Sequence, residues 1–176
     1  MVGEINCHIR NKDNLERLLN VVKILKVDIC GVVETWVGEE GREKVEERLS
    51  DTDFVWVGKG RKERKGGGVG FLAKREMGMK EAKKSKAEGL MWVEIEDGEG
   101  KIFLAVVYQA PISFSRARKD NQKMMDELQE DIFHFKKRGK VCMVGDFNSR
   151  IGQEESRIEN QEKGEIRYKR KSQEKK

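Results

Sequence analysis

Three short stretches of this chain carry residue types that handle phosphates and hard cations. VDICGVVETW places Glu34 directly after an apolar run, KVCMVGDFN places Asp146 and Asn148 after another, and IFLAVVY ends on Tyr108. A carboxylate is the kind of ligand Mg²⁺ prefers over nitrogen or sulfur. An Asp can orient or deprotonate water, and an amide N–H or phenolic O–H can donate to oxygens on which negative charge grows. Strand termini that converge and present such groups suit a hard cation. Each residue also has a purely structural reading. Glu34 can be a strand-end carboxylate, Asp146 and Asn148 a turn cap, and Tyr108 a core residue with a satisfied hydroxyl.

Elements that could position these groups follow from the hydrophobic pattern. The opening EINCHI reads as a strand. From Asn11 to Lys26, Leu15, Leu18, Leu19, Val22 and Leu25 recur at helical steps, with Asp13 and Glu16 resembling a capping pair. Val27 to Val33 reads as a buried strand running into Glu34, Gly38 to Leu49 as a short charged helix, and DFVWV as a strand. Gly66, Gly67 and Gly68 mark a tight entry into strand VGFLA; they lack the Lys-Ser/Thr ending of a phosphate-cradling P-loop. Leu90 to Glu96 and Lys101 to Tyr108 are joined by Asp-Gly, a hairpin signal. Ser115 to Arg138 is a helix with Met125, Leu128, Ile132 and Phe135 on one stripe, ended by Gly139. Val141 to Val144 is a further buried strand. The order of elements predicts an α/β layered sandwich with mixed sheets.

Composition sets the outer bounds. The chain has 176 residues, 36% of them hydrophobic and 39% charged, with a net charge of +5. That basic balance is compatible with a polyanionic partner such as DNA or RNA. The segment KGRKERK could meet a nucleic-acid backbone through Arg61, Lys62, Arg64 and Lys65, or be a solvated loop. Cys7, Cys30 and Cys142 sit far apart in apolar runs and read as small buried thiols. With two histidines and no CxxC, structural zinc is not expected. No signal peptide and no membrane-length apolar stretch is visible, so the expectation is a nuclear or cytoplasmic protein that is not secreted. No small-molecule cofactor is implied, and the oligomeric state is left open. Residues 153–176 mix both charge signs with few apolar residues, and are expected to be a disordered tail after a domain spanning 1–152.

Four segments in order, INCHIRNK, VDICGVVETW, VVYQAP and MVGDFNSRIG, resemble the N-terminal motifs of the endonuclease/exonuclease/phosphatase superfamily, the DNase I-like proteins. The likeness is closest to the endonuclease domains of non-LTR retrotransposons and to craniofacial development protein-like sequences, a subgroup that RKGGGVGFLAK also resembles. The resemblance implies a DNase I-like sandwich and Mg²⁺-dependent (or Mn²⁺-dependent) nicking of DNA. It further implies Glu34 as metal ligand, Tyr108 at the scissile phosphate, Asp146 and Asn148 positioning the attacking water, and Asn6 orienting the carboxylate and phosphate. It also implies a later Asp and a final Asp-His pair, whereas no Asp or His follows Asn148. The resemblance therefore implies a C-terminally truncated site, and a second sheet left partly uncovered. A non-catalytic fragment, at most a nucleic-acid-binding or interaction module, is the competing expectation.

Overall fold

Each parallel strand pair in this protein is linked by a helix that crosses back over its sheet. The computed structural model describes residues 1–59, 67–111, 115–148, 155–160 and 164–169. The first such unit is β1 (Val2–Asn6), α1 (Lys12–Ile24) and β2 (Ile29–Val33), followed by α2 (Glu39–Leu49), β3 (Phe54–Lys59) and β4 (Val69–Lys74). A single 3-10 turn (Arg75–Met77) leads to β5 (Lys80–Lys83), β6 (Leu90–Asp97) and β7 (Gly100–Tyr108). The second unit runs from β7 through α3 (Ser115–Lys136) to β8 (Lys140–Asp146). The strands form two four-stranded mixed sheets, ordered β1-β2-β4-β3 and β5-β6-β7-β8. β1 pairs β2 in parallel and β7 pairs β8 in parallel; the remaining pairings within these sheets are antiparallel.

Strand alternation sorts the side chains into three apolar layers. Between the sheets lie Ile29, Val33, Val69, Phe71, Met91, Val93, Leu104, Val106 and Tyr108. The opposite faces of the same strands send Cys30, Val32 and Leu72 against α1 and α2, and Trp92, Phe103, Ala105 and Val107 against α3. β2 is buried along its whole length because both its faces are covered. The result is a helix–sheet–sheet–helix sandwich. Its central packing is tight: a Cβ on Gly31 would lie 2.7 Å from a Val144 methyl and 3.4 Å from one of Val106. No described helix is long and apolar enough to cross a membrane.

Several local expectations shift. Asn11, and not Asp13, caps α1: its Oδ1 accepts from the Asp13 and Asn14 amides at 2.8 and 3.4 Å. The inward stripe of α3 runs through Asn121, Met124, Leu128, Asp131 and Phe135, with Met125 and Ile132 at its margin. Two polar residues occupy that stripe because both have partners, Ala110 for Asn121 and Lys83 for Asp131. Cys30 is buried, Cys7 half-buried and Cys142 exposed, so the expectation of three buried thiols fails at Cys142. Among the described residues β8 is an edge strand that pairs only with β7, and neither of its faces is fully covered. Exposed apolar surface is found there at Met143, and elsewhere on α3 at Phe133. Within the segment expected to be disordered, β9 (Glu155–Asn160) and β10 (Gly164–Lys169) pair antiparallel as a separate two-stranded sheet, with Ile158 opposite Ile166.

Candidate active site

The chemistry-bearing residues lie at the C-terminal ends of the strands of the two parallel pairs. Asn6 ends β1, Glu34 follows β2, Tyr108 ends β7, and Asp146 ends β8 with Asn148 two residues on. Ligands of α/β proteins bind outside the carboxyl ends of parallel strands, where loops rather than ladder bonds take the backbone groups. Here two such ends come from two sheets packed face to face. Gly31 against Val144 and Val106 marks the crossing. Glu34 is three residues past that point on its strand, and Asp146 and Tyr108 are each two residues past it on theirs. Tyr108 and Asp146 are direct partners in the β7–β8 register. Alternation puts Asp146 on the Val144 side of β8, toward the first sheet. Across that gap, Glu4 has its carboxyl pushed above the ordinary range by burial, and further by the negative charge of Asp146.

Glu34 is held by a turn that breaks the strand. Its backbone and that of Trp36 are left-handed, both at φ 55°, a conformation rare for residues with a Cβ. The intervening Thr35 is fully buried. The glycine entry to β4 stabilises this turn. The Trp36 amide donates to Gly67 O at 2.8 Å, and the Thr35 amide to Gly68 O at 3.3 Å. Glu34 Oε2 accepts from the Gly67 amide at 2.7 Å and from the Trp36 indole N–H at 3.1 Å. Glycine is required at both contact points. Gly67 and Gly68 have φ 73° and 88°, and a Cβ on Gly68 would approach Thr35 Oγ1 to 2.4 Å. The tight strand entry expected of the glycine run is present, and it also positions the carboxylate.

Asp146 and Asn148 form a turn and are ordered by it. Asp146 Oδ1 accepts from the Asn148 amide at 2.9 Å, and Asn148 Nδ2 donates to Gln109 O at 2.7 Å. The Gln109 amide in turn donates to Asp146 O at 2.8 Å, so the ends of β7 and β8 are cross-linked beyond the ladder. Asn148 adopts φ 44°, a left-handed conformation that Asn tolerates well. The cap reading of the pair is the one these hydrogen bonds show. Tyr108 is buried at 8% exposure in the inter-sheet layer, which is the core reading of that residue. Asn6 is exposed at the strand end.

Sequence reading missed the supports of this site. Asn121, buried on α3, donates to Ala110 O at 2.7 Å and accepts from Ala110 N at 3.1 Å, fastening the segment after Tyr108. Lys59, counted with the solvated basic loop, instead turns back to donate to Ser85 O and, at 2.8 Å, to Ala87 O. Burial depresses its pKa. The Ala87 segment leads to Gly89, whose carbonyl accepts the Tyr108 amide at 2.7 Å. None of these contacts had a visible signal in the sequence; the Gly-Gly-Gly run signalled only the turn that holds Glu34. Arg61, Lys62, Arg64 and Lys65 lie outside the described residues.

Among the described residues, no three of His, Cys, Asp and Glu converge into a metal-binding group. A cation would rest on Glu34, whose Oε1 accepts no hydrogen bond from the described residues while Oε2 accepts two. That donor set fits Mg²⁺, which keeps several waters and is commonly held by one or two carboxylates plus substrate phosphate.

No protein-family model and no curated protein matches the sequence. Solved structures do match the fold. The endonuclease domain of TRAS1, a telomere-specific non-LTR retrotransposon, superposes with a TM-score of 0.60 at 12% identity, over 84% of this chain and 58% of that one. The AP endonuclease LMAP from Leishmania major gives 0.61 at 14% identity, over 84% and 54%. TDP2 from D. rerio, complexed with single strand DNA product, gives 0.59 at 13% identity, over 85% and 60%. The chain spans a little over half the length of these proteins. Two mixed sheets packed face to face with helices outside give this chain the fold of the DNase I-like endonuclease/exonuclease/phosphatase proteins.

Proposed function

We propose that this chain carries part of a site for hydrolysing phosphodiesters in nucleic acid, with DNA as substrate and Mg²⁺ (Mn²⁺ as a substitute) held at Glu34. The observation that carries the reading is that Glu34 lies just past β2, and Asp146 and Asn148 at and just past the end of β8, in two sheets that pack Gly31 against Val144 in a DNase I-like sandwich. A bound divalent ion would neutralise phosphate charge and stabilise the leaving alkoxide.

The chain's own residues supply the rest. Glu34 is pre-oriented by the Gly67 amide and the Trp36 indole, which fix one oxygen and leave the other available. Asp146 Oδ2 accepts no hydrogen bond from the described residues and can take the proton of a water attacking phosphorus in line. The new P–O bond forms from that water as the bond to the departing oxygen breaks, and the proton passes to Asp146. Asn148, oriented by Gln109 O, retains a second N–H for a phosphate oxygen. Proton transfer by a positioned group contributes ~10²–10⁴-fold.

A plasmid-nicking assay with Mg²⁺ tests the proposal. Asp146→Asn should lower the rate by roughly 10²-fold or more, and Glu34→Ala should abolish Mg²⁺-dependent nicking. Wild-type protein that fails to nick at high concentration would sink the hydrolytic reading. The second reading, a nucleic-acid-binding module without catalysis, is favoured by the absence, among the described residues, of three His, Cys, Asp or Glu that converge. It predicts DNA binding that Glu34→Ala leaves unchanged.

A further inference from the structure

Trp36 stands apart from the other two tryptophans. Trp56 and Trp92 are 4% and 0% exposed, whereas the Trp36 side chain is 42% exposed although it is the largest apolar group near the candidate site. It is also not loosely held. Its indole N–H donates to Glu34 Oε2 at 3.1 Å, its amide donates to Gly67 O at 2.8 Å, and its ring lies 4.5 Å from the His8 ring at an interplanar angle of 36°. Two left-handed residues, Glu34 and Trp36, are needed to present it this way. Strained backbone of this kind concentrates at ligand clamps. A core role does not account for that arrangement, because Trp36 is among the exposed large hydrophobic residues.

We propose that Trp36, braced by His8 and Glu34, is a stacking surface for an unpaired nucleobase next to the phosphate handled by Glu34 and Asp146. The inference rests on the hydrolytic reading for the identity of its ligand. An indole face stacks any base, and such contacts tolerate sequence variation. Pre-ordering the ring by two hydrogen bonds and a ring contact lowers the entropy lost when a base arrives. The indole–carboxylate bond gives the surface a further property. A base on Trp36 and a phosphate or cation at Glu34 share one rigid group, so a nucleotide seated on the ring has its phosphate registered to the site. Single-stranded or locally unpaired nucleic acid is the ligand class that offers both parts.

The test uses tryptophan emission in EDTA, so that binding is read without turnover. Wild-type protein is titrated with an oligothymidylate of about 12 nucleotides, and with an oligomer of equal length and charge in which every base is absent. Quenching by the first and not the second is expected, since Trp36 is the solvent-exposed fluorophore. Trp36→Leu should remove the quench and weaken oligothymidylate binding about tenfold, with Trp36→Phe retaining most affinity. Melting of both variants checks that they are folded. Equal quenching by the baseless oligomer, no binding of either, or a folded Trp36→Leu of unchanged affinity overturns the proposal. Base-dependent quenching in a protein that never nicks plasmid would sink hydrolysis alone, and nicking without base-dependent quenching would sink the stacking surface alone.

Discussion

Glu34 is an acid whose usefulness depends on one oxygen being occupied and the other left available. The Gly67 amide and the Trp36 indole take Oε2, and both contacts require the backbone of the glycine run to pass close by. Gly68 is the point where that closeness can be tested. At φ 88°, with a Cβ position 2.4 Å from Thr35 Oγ1, it tolerates no side chain without moving the buried Thr35 beside Glu34. Gly68→Ala is expected to destabilise by about 1–3 kcal/mol, lowering the melting temperature by roughly 2–10 °C in a chain of this length, and to lower nicking as well. Gly98→Ala is the matched control: a Cβ there meets nothing within 4 Å, so its melting temperature should stay near wild type.

At the scale of elements, the site depends on how strand ends are fastened after the ladders stop. β7 and β8 are joined past their last pair by the Gln109–Asp146 and Asn148–Gln109 hydrogen bonds. α3 holds the same segment through Asn121, which is 6% exposed and bonds both backbone groups of Ala110. Truncating it leaves a half-buried donor and acceptor on Ala110 without their partner, which costs up to ~1–3 kcal/mol. Asn121→Ala should therefore lower the melting temperature. It should also speed amide hydrogen exchange at Gln109 and Asn148 more than at Gly67, which another element holds. Exchange that rises equally at all three amides would contradict this division of labour.

For the molecule as a whole, acid sensitivity has a definable origin at the end of the first sheet away from the site. Asp28 is bonded to Lys74 at 2.7 Å and also to the N-terminal ammonium. Hydrogen bonds to Lys74 and to that ammonium bring its pKa from 3.8 down to about 2. A depressed carboxylate pKa contributes stability that is fully present above the unfolded value, and is lost as pH falls through the folded value. Melting temperature is thus expected to decline between about pH 4 and pH 2, and Asp28→Asn should flatten that decline while leaving a lower plateau near neutrality. An unchanged acid profile in Asp28→Asn would place the sensitivity elsewhere.

Much of the layering was legible from the sequence because it depends on periodicity. The apolar runs VDICGVV and IFLAVVY read as buried strands, and helical spacing places Leu15, Leu18 and Val22 inward. Glu34, Asp146 and Asn148 were legible too, since residue type and position after a strand are local properties. What only the tertiary structure decided is non-local. The Gly67 amide reaches Glu34 across 33 positions, and Asn148 reaches Gln109 across 39; periodicity carries no information about such pairs. Lys59 was misread because its partners, Ser85 and Ala87, lie in the connection between β5 and β6, two strands of the other sheet. Cys142 lies in an apolar run, as Cys30 does, yet is exposed because β8 is an edge strand and β2 is sandwiched between two layers. Residue type named the acids, and packing decided what holds each of them.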